Sequence, residues 1–218
     1  RTRWVVWGLG FAAFVLAVAL IGVAVYRQQA ATSPGGGTPA EVRRPRHVVI
    51  VKVDTLRADR VGAYGWRDAR TPAIDGLATR GARFDRAFAA APITLPSHAS
   101  LLSGLYPPGH GSRHNGMRVR DGVATLATVL REQGWATGAF VGAFPLDRRF
   151  GLDRGFLRYG DRMSRTDEGR VLNERPGRVV VDEALEWARS MTADRRMFLW
   201  VHLFEPHAPY EPDPQRGP

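Results

Sequence analysis

The sequence predicts an α/β fold on a mostly parallel central sheet, preceded by one membrane-spanning helix. Two observations carry this. From residue 47 onward, short apolar runs rich in β-branched residues alternate with amphipathic stretches bounded by Pro and Gly, which is how strands and helices alternate in a parallel sheet. Ahead of them, Trp4 to Tyr26 contains no charged residue.

As a helix, that first run reaches about 35 Å at 1.5 Å per residue, against a hydrocarbon core of about 30 Å. Trp4, Trp7 and Tyr26 sit near its ends, where amphipathic rings favour the membrane interface. A buried core helix would show a polar face. A cleaved signal peptide would be shorter, with a small-residue exit that Gln28-Gln29-Ala30-Ala31 only weakly offers. Residues 1–3 then form a cytoplasmic end and 27–46 a linker containing Ser33-Pro34-Gly35-Gly36-Gly37-Thr38-Pro39, flexible and unable to pair regularly. Arginines flank the span on both sides (Arg1 and Arg3; Arg27, Arg43, Arg44 and Arg46), so charge alone leaves its orientation open. The expectation is a single-pass membrane protein with its bulk on the periplasmic or extracellular side.

The remaining elements follow in order. His47–Val53 reads as a buried strand. Residues 72–80 read as a helix with Pro72 in the first turn and Gly81 as its stop. Residues 82–89 alternate enough to suggest a strand. Residues 97–103 look helical after Pro96 and up to Gly104. Residues 125–133 read as an amphipathic helix closed by Gly134 and 136–141 as a strand. Residues 179–191 read as a helix with Val180, Ala184, Trp187 and Ala188 on one face, and 197–204 as a strand. In such a sheet, ligands bind at the carboxyl ends of the strands.

Composition removes several functions. The chain of 218 residues has no cysteine, which excludes disulfides, thiolate metal sites and a thiol nucleophile. Its net charge of +10 comes almost wholly from arginine, Lys52 being the sole lysine. The arginines are scattered, without a basic run or interleaved aromatics, so no nucleic-acid partner is expected.

Four constellations carry chemistry. Asp54 directly follows the first strand, where a carboxylate is placed to hold calcium, magnesium, manganese or zinc; a turn or capping role is the alternative. Thr94-Leu95-Pro96-Ser97-His98 leads into a helix, whose first amides and dipole attract anions. A bound metal would activate the Thr94 hydroxyl; alternatively Thr94 is only a cap. Tyr106-Pro107-Pro108-Gly109-His110-Gly111 and Arg113-His114-Asn115-Gly116 form a loop, either pocket wall or solvated turn. His207, between Pro206 and Pro209 after the last strand, is aimed by them to bind an oxyanion or act as acid or base.

Together these residues resemble the sulfatase family of the alkaline phosphatase superfamily over about residues 47–212. Val53-Asp54-Thr55-Leu56-Arg57-Ala58-Asp59 with Ala63-Tyr64-Gly65 resembles the family's metal-binding turn. Residues 71–84, from Thr71-Pro72-Ala73-Ile74-Asp75 to Phe84, resemble its next helix. Leu95 to Pro107 resembles its nucleophile helix, and Phe204-Glu205-Pro206-His207-Ala208-Pro209-Tyr210 its His-bearing strand end.

The resemblance implies an alkaline-phosphatase-like three-layer sandwich and a divalent metal, zinc, calcium or manganese, met by Asp54 and Thr94. It further implies catalytic roles for Thr94, His98 and His207, and an anionic ester substrate such as a lipid or glycan headgroup. Sulfatases proper carry Cys-x-Pro-Ser-Arg, whose Cys or Ser becomes formylglycine. Thr94 cannot give that aldehyde, His98 replaces the Arg, Thr55 replaces a second Asp, and the Gly-Lys-Trp-His signature is absent. The segment is closer to the Thr-x-Pro-Asn-His of nucleotide pyrophosphatase/phosphodiesterases, and phosphoethanolamine transferases also use threonine.

The expected function is therefore a metal-dependent hydrolase or transferase of phosphate or sulfate esters working through Thr94. The alternatives are a sulfatase that works without formylglycine and a non-catalytic binding domain. The family's remaining ligands are expected beyond Pro218, so residues 1–218 alone are expected to be inactive and residues 47–218 to form an incomplete catalytic domain.

Overall fold

The computed structural model describes residues 46–165, 169 and 172–208. The expected membrane helix over residues 4–26 and the linker up to residue 45 lie outside the described residues. Among the described residues, no helix is long and apolar enough to cross a membrane.

Four strands make one sheet: β1 (His47–Val53), β2 (Ala136–Val141), β3 (Arg158–Gly160) and β4 (Met197–Leu203). Their spatial order is β1-β4-β2-β3 and every pairing is parallel. β4 therefore lies between β1 and β2, with His47 opposite Met197 on one side and Ala136 opposite Met197 on the other. All strands point the same way, so their carboxyl ends share one edge.

Helices α1 (Pro72–Arg80), α2 (Thr94–Ser103), α3 (Pro107–His110), α4 (Leu126–Glu132) and α5 (Gly177–Arg189) fill the crossovers. β4 alternates strictly, since successive strand residues face opposite sides. Phe198 and Trp200 pack with Leu95, Ala99 and Leu102 of α2 and Ala127 of α4. Met197, Leu199 and Val201 pack with Val180 and Ala184 of α5. The sheet is thus covered on both faces at β2 and β4, as a three-layer arrangement requires, whereas β1, read from sequence as a buried strand, leaves Val49 and Val51 exposed on one face. Burying each large apolar side chain contributes about 1.5–3 kcal/mol, so β4, covered on both faces, anchors the whole.

Local chemistry fixes the element ends. Thr125 caps α4 reciprocally: its hydroxyl oxygen accepts from the Thr128 amide at 3.2 Å and its amide donates to the Thr128 hydroxyl oxygen at 2.8 Å. Gly138 lets α5 lie against β2, because a Cβ there would stand 2.7 Å from the Trp187 ring. The buried Arg175 guanidinium donates to the carbonyls of Val141 (3.0 Å) and Gly160 (2.9 Å) and pairs with Glu183 of α5 (3.0 Å). It staples the ends of β2 and β3 to the helix above them.

Three further expectations need correction. Residues 82–89 form no strand and are exposed. Arg83 instead binds Asp85 and the Ala63 carbonyl, while the Phe84 carbonyl accepts from the Tyr64 hydroxyl, and no described strand lies alongside. Residues 107–110, read as loop, make the single turn α3, begun by two prolines whose missing amides cost nothing in a first turn. The helix expected from Ser97 begins instead at Thr94. Leu95 is drawn into the helix despite preceding a proline: its side chain is fully buried and its amide is satisfied from outside the helix.

Candidate functional site

The site is assembled at the carboxyl edge of the sheet. Asp54 follows β1 and continues its ladder, donating its amide to the Leu203 carbonyl at 2.9 Å. Thr55 turns the chain away in the left-handed region, with φ 51°, a strained conformation for a β-branched residue. In this turn Asp54 Oδ1 accepts from the Thr55 amide (3.1 Å) and from Lys52 Nζ (3.5 Å). Its other oxygen, Oδ2, is buried without a hydrogen-bond partner.

Facing that oxygen is His202, a residue that sequence reasoning missed. It is fully buried near the end of β4, with Nε2 3.8 Å from Asp54 Oδ2 and both ring nitrogens unpartnered. Its signal was present: one imidazole in the otherwise apolar run Met197–Leu203, one residue before the carboxyl end. The run reads so clearly as a strand that its one polar side chain passes unnoticed.

His98 completes the cluster. It lies 1% exposed on the inner face of α2, its ring edge-on to His202 at 4.8 Å between centroids and 5.7 Å from Trp200. Its Nδ1 lies 2.7 Å from the Thr94 carbonyl oxygen, which can only accept, so Nδ1 carries the proton and Nε2 the lone pair. That Nε2 is also buried and unpartnered. Burial pushes the His98 imidazole down to about 4, against a partial rise from its bond to Thr94. Burial pushes His202 down to about 2, helped by its neighbours His98 and Lys52. Both rings are neutral at ordinary pH and offer lone pairs rather than charge.

Thr94 is half-buried at the first position of α2. No hydrogen bond joins it to Asp54; the connection runs from the Thr94 carbonyl through His98 to His202 and then Asp54. The expected bare helix amides are partly occupied, because Asn115 Oδ1 accepts from the Leu95 amide at 2.9 Å. This brings the His- and Gly-rich loop against the head of α2. His110 supports that loop from within: fully buried, it accepts from the Ser112 amide (3.2 Å) and meets Ser100 Oγ of α2 at 3.0 Å.

His207 is half-buried on the turn after β4, stacked on Phe204 at 4.4 Å, its amide bonded to the Phe204 carbonyl. The turn is tied down by Glu205, whose Oε1 accepts from the Gly177 amide at 2.8 Å. Pro176 supplies no side-chain cap and the first turn of α5 has no acid, so Glu205 serves as the missing acidic cap. The structure thus unites Asp54, His98 and His202, sets Thr94 at the head of the helix that carries His98, and places His207 on the same sheet edge without contact to them. Among the described residues, no group of three or more His, Asp or Glu side chains is placed to hold a metal ion.

Comparison with known proteins agrees with this architecture. The chain belongs to the sulfatase family, whose profile matches residues 46–217. Mouse steryl-sulfatase is 34% identical over 128 residues, 52% of this chain and 19% of its own length. The Delta 4,5-hexuronate-2-O-sulfatase of Bacteroides thetaiotaomicron is 33% identical over 104 residues, 45% of this chain and 22% of its own. Among solved structures, a 2-O GAG sulfatase superposes with a TM-score of 0.57 at 27% identity, over 74% of this chain and 35% of its own. The phosphonate monoester hydrolase of Agrobacterium radiobacter reaches 0.61 at 22% identity, over 78% and 43%, and shares the fold. The chain therefore spans about a fifth of these curated relatives and under half of these solved chains.

Proposed function

We propose that the protein is a metal-dependent ester hydrolase in which Thr94 stands where sulfatases carry formylglycine. The supporting observation is the 2.7 Å bond from His98 to the Thr94 carbonyl, which ties the head of α2 to the buried Asp54–His202 cluster. The Thr94 hydroxyl would release its proton to solvent as its oxygen forms the bond to sulfur or phosphorus, the ester oxygen would depart with its electron pair and take up a proton, and water would then free the group from Thr94. His207, partly open to solvent on the same edge, would meet the anionic group. A divalent cation fits the residues present, because Asp54 Oδ2 is a buried carboxylate oxygen without a donor. Asp54 and Thr94 would hold the ion, and it would supply Lewis-acid stabilisation of the charge that develops on the transferred group.

The substrate class is an anionic sulfate or phosphate ester, with a lipid or glycan headgroup the natural form for a protein anchored through residues 4–26 and facing the periplasm or exterior. A phosphate ester is the reading that the threonine favours; a sulfate ester is the reading that the relatives' activities favour. Assays of the full-length protein on an aryl sulfate, an aryl phosphate and an aryl phosphodiester decide between them. On the preferred substrate, Thr94→Ala should lower kcat by about a thousandfold or more and Thr94→Ser should restore part of it. A fully active Thr94→Ala variant removes threonine from the role. Recovery of the protein in the soluble fraction would remove the anchor.

A further inference from the structure

We propose that Arg113 is a specificity-determining residue, a cation held beside the head of α2 to receive a second anionic group on the substrate, besides the ester that reacts. This assignment rests on the proposed reading that Thr94 meets the ester, and it narrows the substrate class to esters that carry a further negative charge. The loop over residues 110–116 is the starting point. His110 and Ser112 are fully buried. The His110 ring accepts from the Ser112 amide at 3.2 Å and meets Ser100 Oγ of α2 at 3.0 Å. On the far side of Arg113, Asn115 Oδ1 accepts from the Leu95 amide at 2.9 Å, and the Met117 amide closes a turn on the His114 carbonyl at 3.2 Å. The loop is therefore fastened to α2 both before and after Arg113, and the second fastening is made at the residue that follows Thr94.

Arg113 is what this fastening leaves over. Its side chain is exposed and, among the described residues, has no acid or carbonyl partner. Arginines of the adjoining loops are engaged: Arg118 pairs with Asp121, Arg148 with Asp161 and Arg149 with Asp147. Its neighbour His114 turns Nδ1 to the Asn115 carbonyl at 2.8 Å. Two residues of backbone span at most about 7 Å, so the base of Arg113 stays within that distance of Asn115, beside the head of α2. A guanidinium is a rigid fork that meets sulfate, phosphate or carboxylate through two parallel hydrogen bonds. Because its loop is already fixed, little further ordering of the backbone is needed when an anion arrives.

A matched pair of substrates tests this on the full-length protein: the sulfate and phosphate esters of 4-hydroxybenzoic acid, and the same esters of methyl 4-hydroxybenzoate. The two differ by one negative charge and little in shape. The unmodified protein should show a KM about five- to tenfold lower for the carboxylate-bearing ester, with the ratio shrinking as ionic strength rises. Arg113→Gln should bring the ratio close to one, and Arg113→Lys, which keeps the charge without the fork, should leave part of it. A ratio near one in the unmodified protein, or a ratio that survives in Arg113→Gln, overturns the assignment while turnover itself leaves the hydrolase reading standing. If neither ester is turned over, the hydrolase reading falls. Calorimetric binding of the same two esters to full-length Thr94→Ala, with and without Arg113→Gln, then decides on Arg113: an affinity ratio that depends on the arginine supports it, and equal affinities overturn it.

Discussion

At the scale of single residues, the site is a problem of buried polar atoms. His98 and His202 are uncharged because burial outweighs what their neighbours return to them, and their lowered proton affinity couples to folding. An imidazole at about 4 in the folded chain and about 6.5 when unfolded binds its proton only in the unfolded state between those values. The stability contributed by a neutral His98 is therefore complete above about pH 6.5 and is lost as the pH falls toward 4. Burial lowers His110 in the same direction. Urea midpoints of metal-free protein should fall steeply over that window, and replacing His98 with Asn should flatten the slope. Arg175 poses the opposite case, a buried charge that donates a hydrogen bond from each of its three nitrogens. Arg175→Ala strands two carbonyls and Glu183, and should cost about 3–5 kcal/mol in denaturant unfolding.

Residue by residue, the sequence exposed what stands at a boundary and hid what stands inside one. Asp54 and Thr94 were legible because each sits where a strand ends or a helix begins, and such places have recognisable neighbours. His202 was not, because its meaning depends on which strand it faces, and β4 pairs with β1 only after a crossover of more than a hundred residues. Asn115 and Glu205 were hidden for the same reason: each caps a helix distant in the chain, at Leu95 and Gly177 respectively.

At the scale of elements, caps decide where helices start, and they carry two expectations. Thr125→Ala removes the reciprocal pair at the head of α4 and should cost about 1 kcal/mol, seen as a lowered Tm. Glu205→Ala removes the acidic cap from α5 and frees the turn bearing His207. It should raise KM for the anionic ester by severalfold while Glu205→Gln, which keeps an acceptor oxygen, retains most of the affinity. Equal KM values for all three proteins would show that the turn holds without the cap. Residues 82–89 show the limit of reading elements from pattern. Alternation is a property of a strand already paired, and here the same residues are held by Arg83, Asp85 and the Tyr64 hydroxyl as irregular chain.

At the scale of the whole molecule, alternation of strand and helix runs was enough to give a parallel sheet with helices packed on its faces. The order of the strands was not legible, since a parallel strand with two buried faces reads alike wherever it lies. The structure puts the last described strand in the middle, and the most deeply buried side chains follow it there. Trp200, fully enclosed beside Phe156, Tyr159 and His98, should cost about 3–5 kcal/mol on replacement by Ala. The loss should show in denaturant unfolding, and the ring also lies against His98 of the histidine cluster.

The central seat of β4 has a consequence for synthesis. β1 and β2 have no bond to each other; each is paired through a strand that leaves the ribosome long after both. Until residue 203 has emerged, the nascent chain carries two apolar ribbons with open edges and no means of joining them, a state prone to wrong association. Chains arrested before Met197 should accordingly be digested readily by added protease. Those arrested far enough beyond Leu203 to free it from the exit tunnel should yield a resistant core.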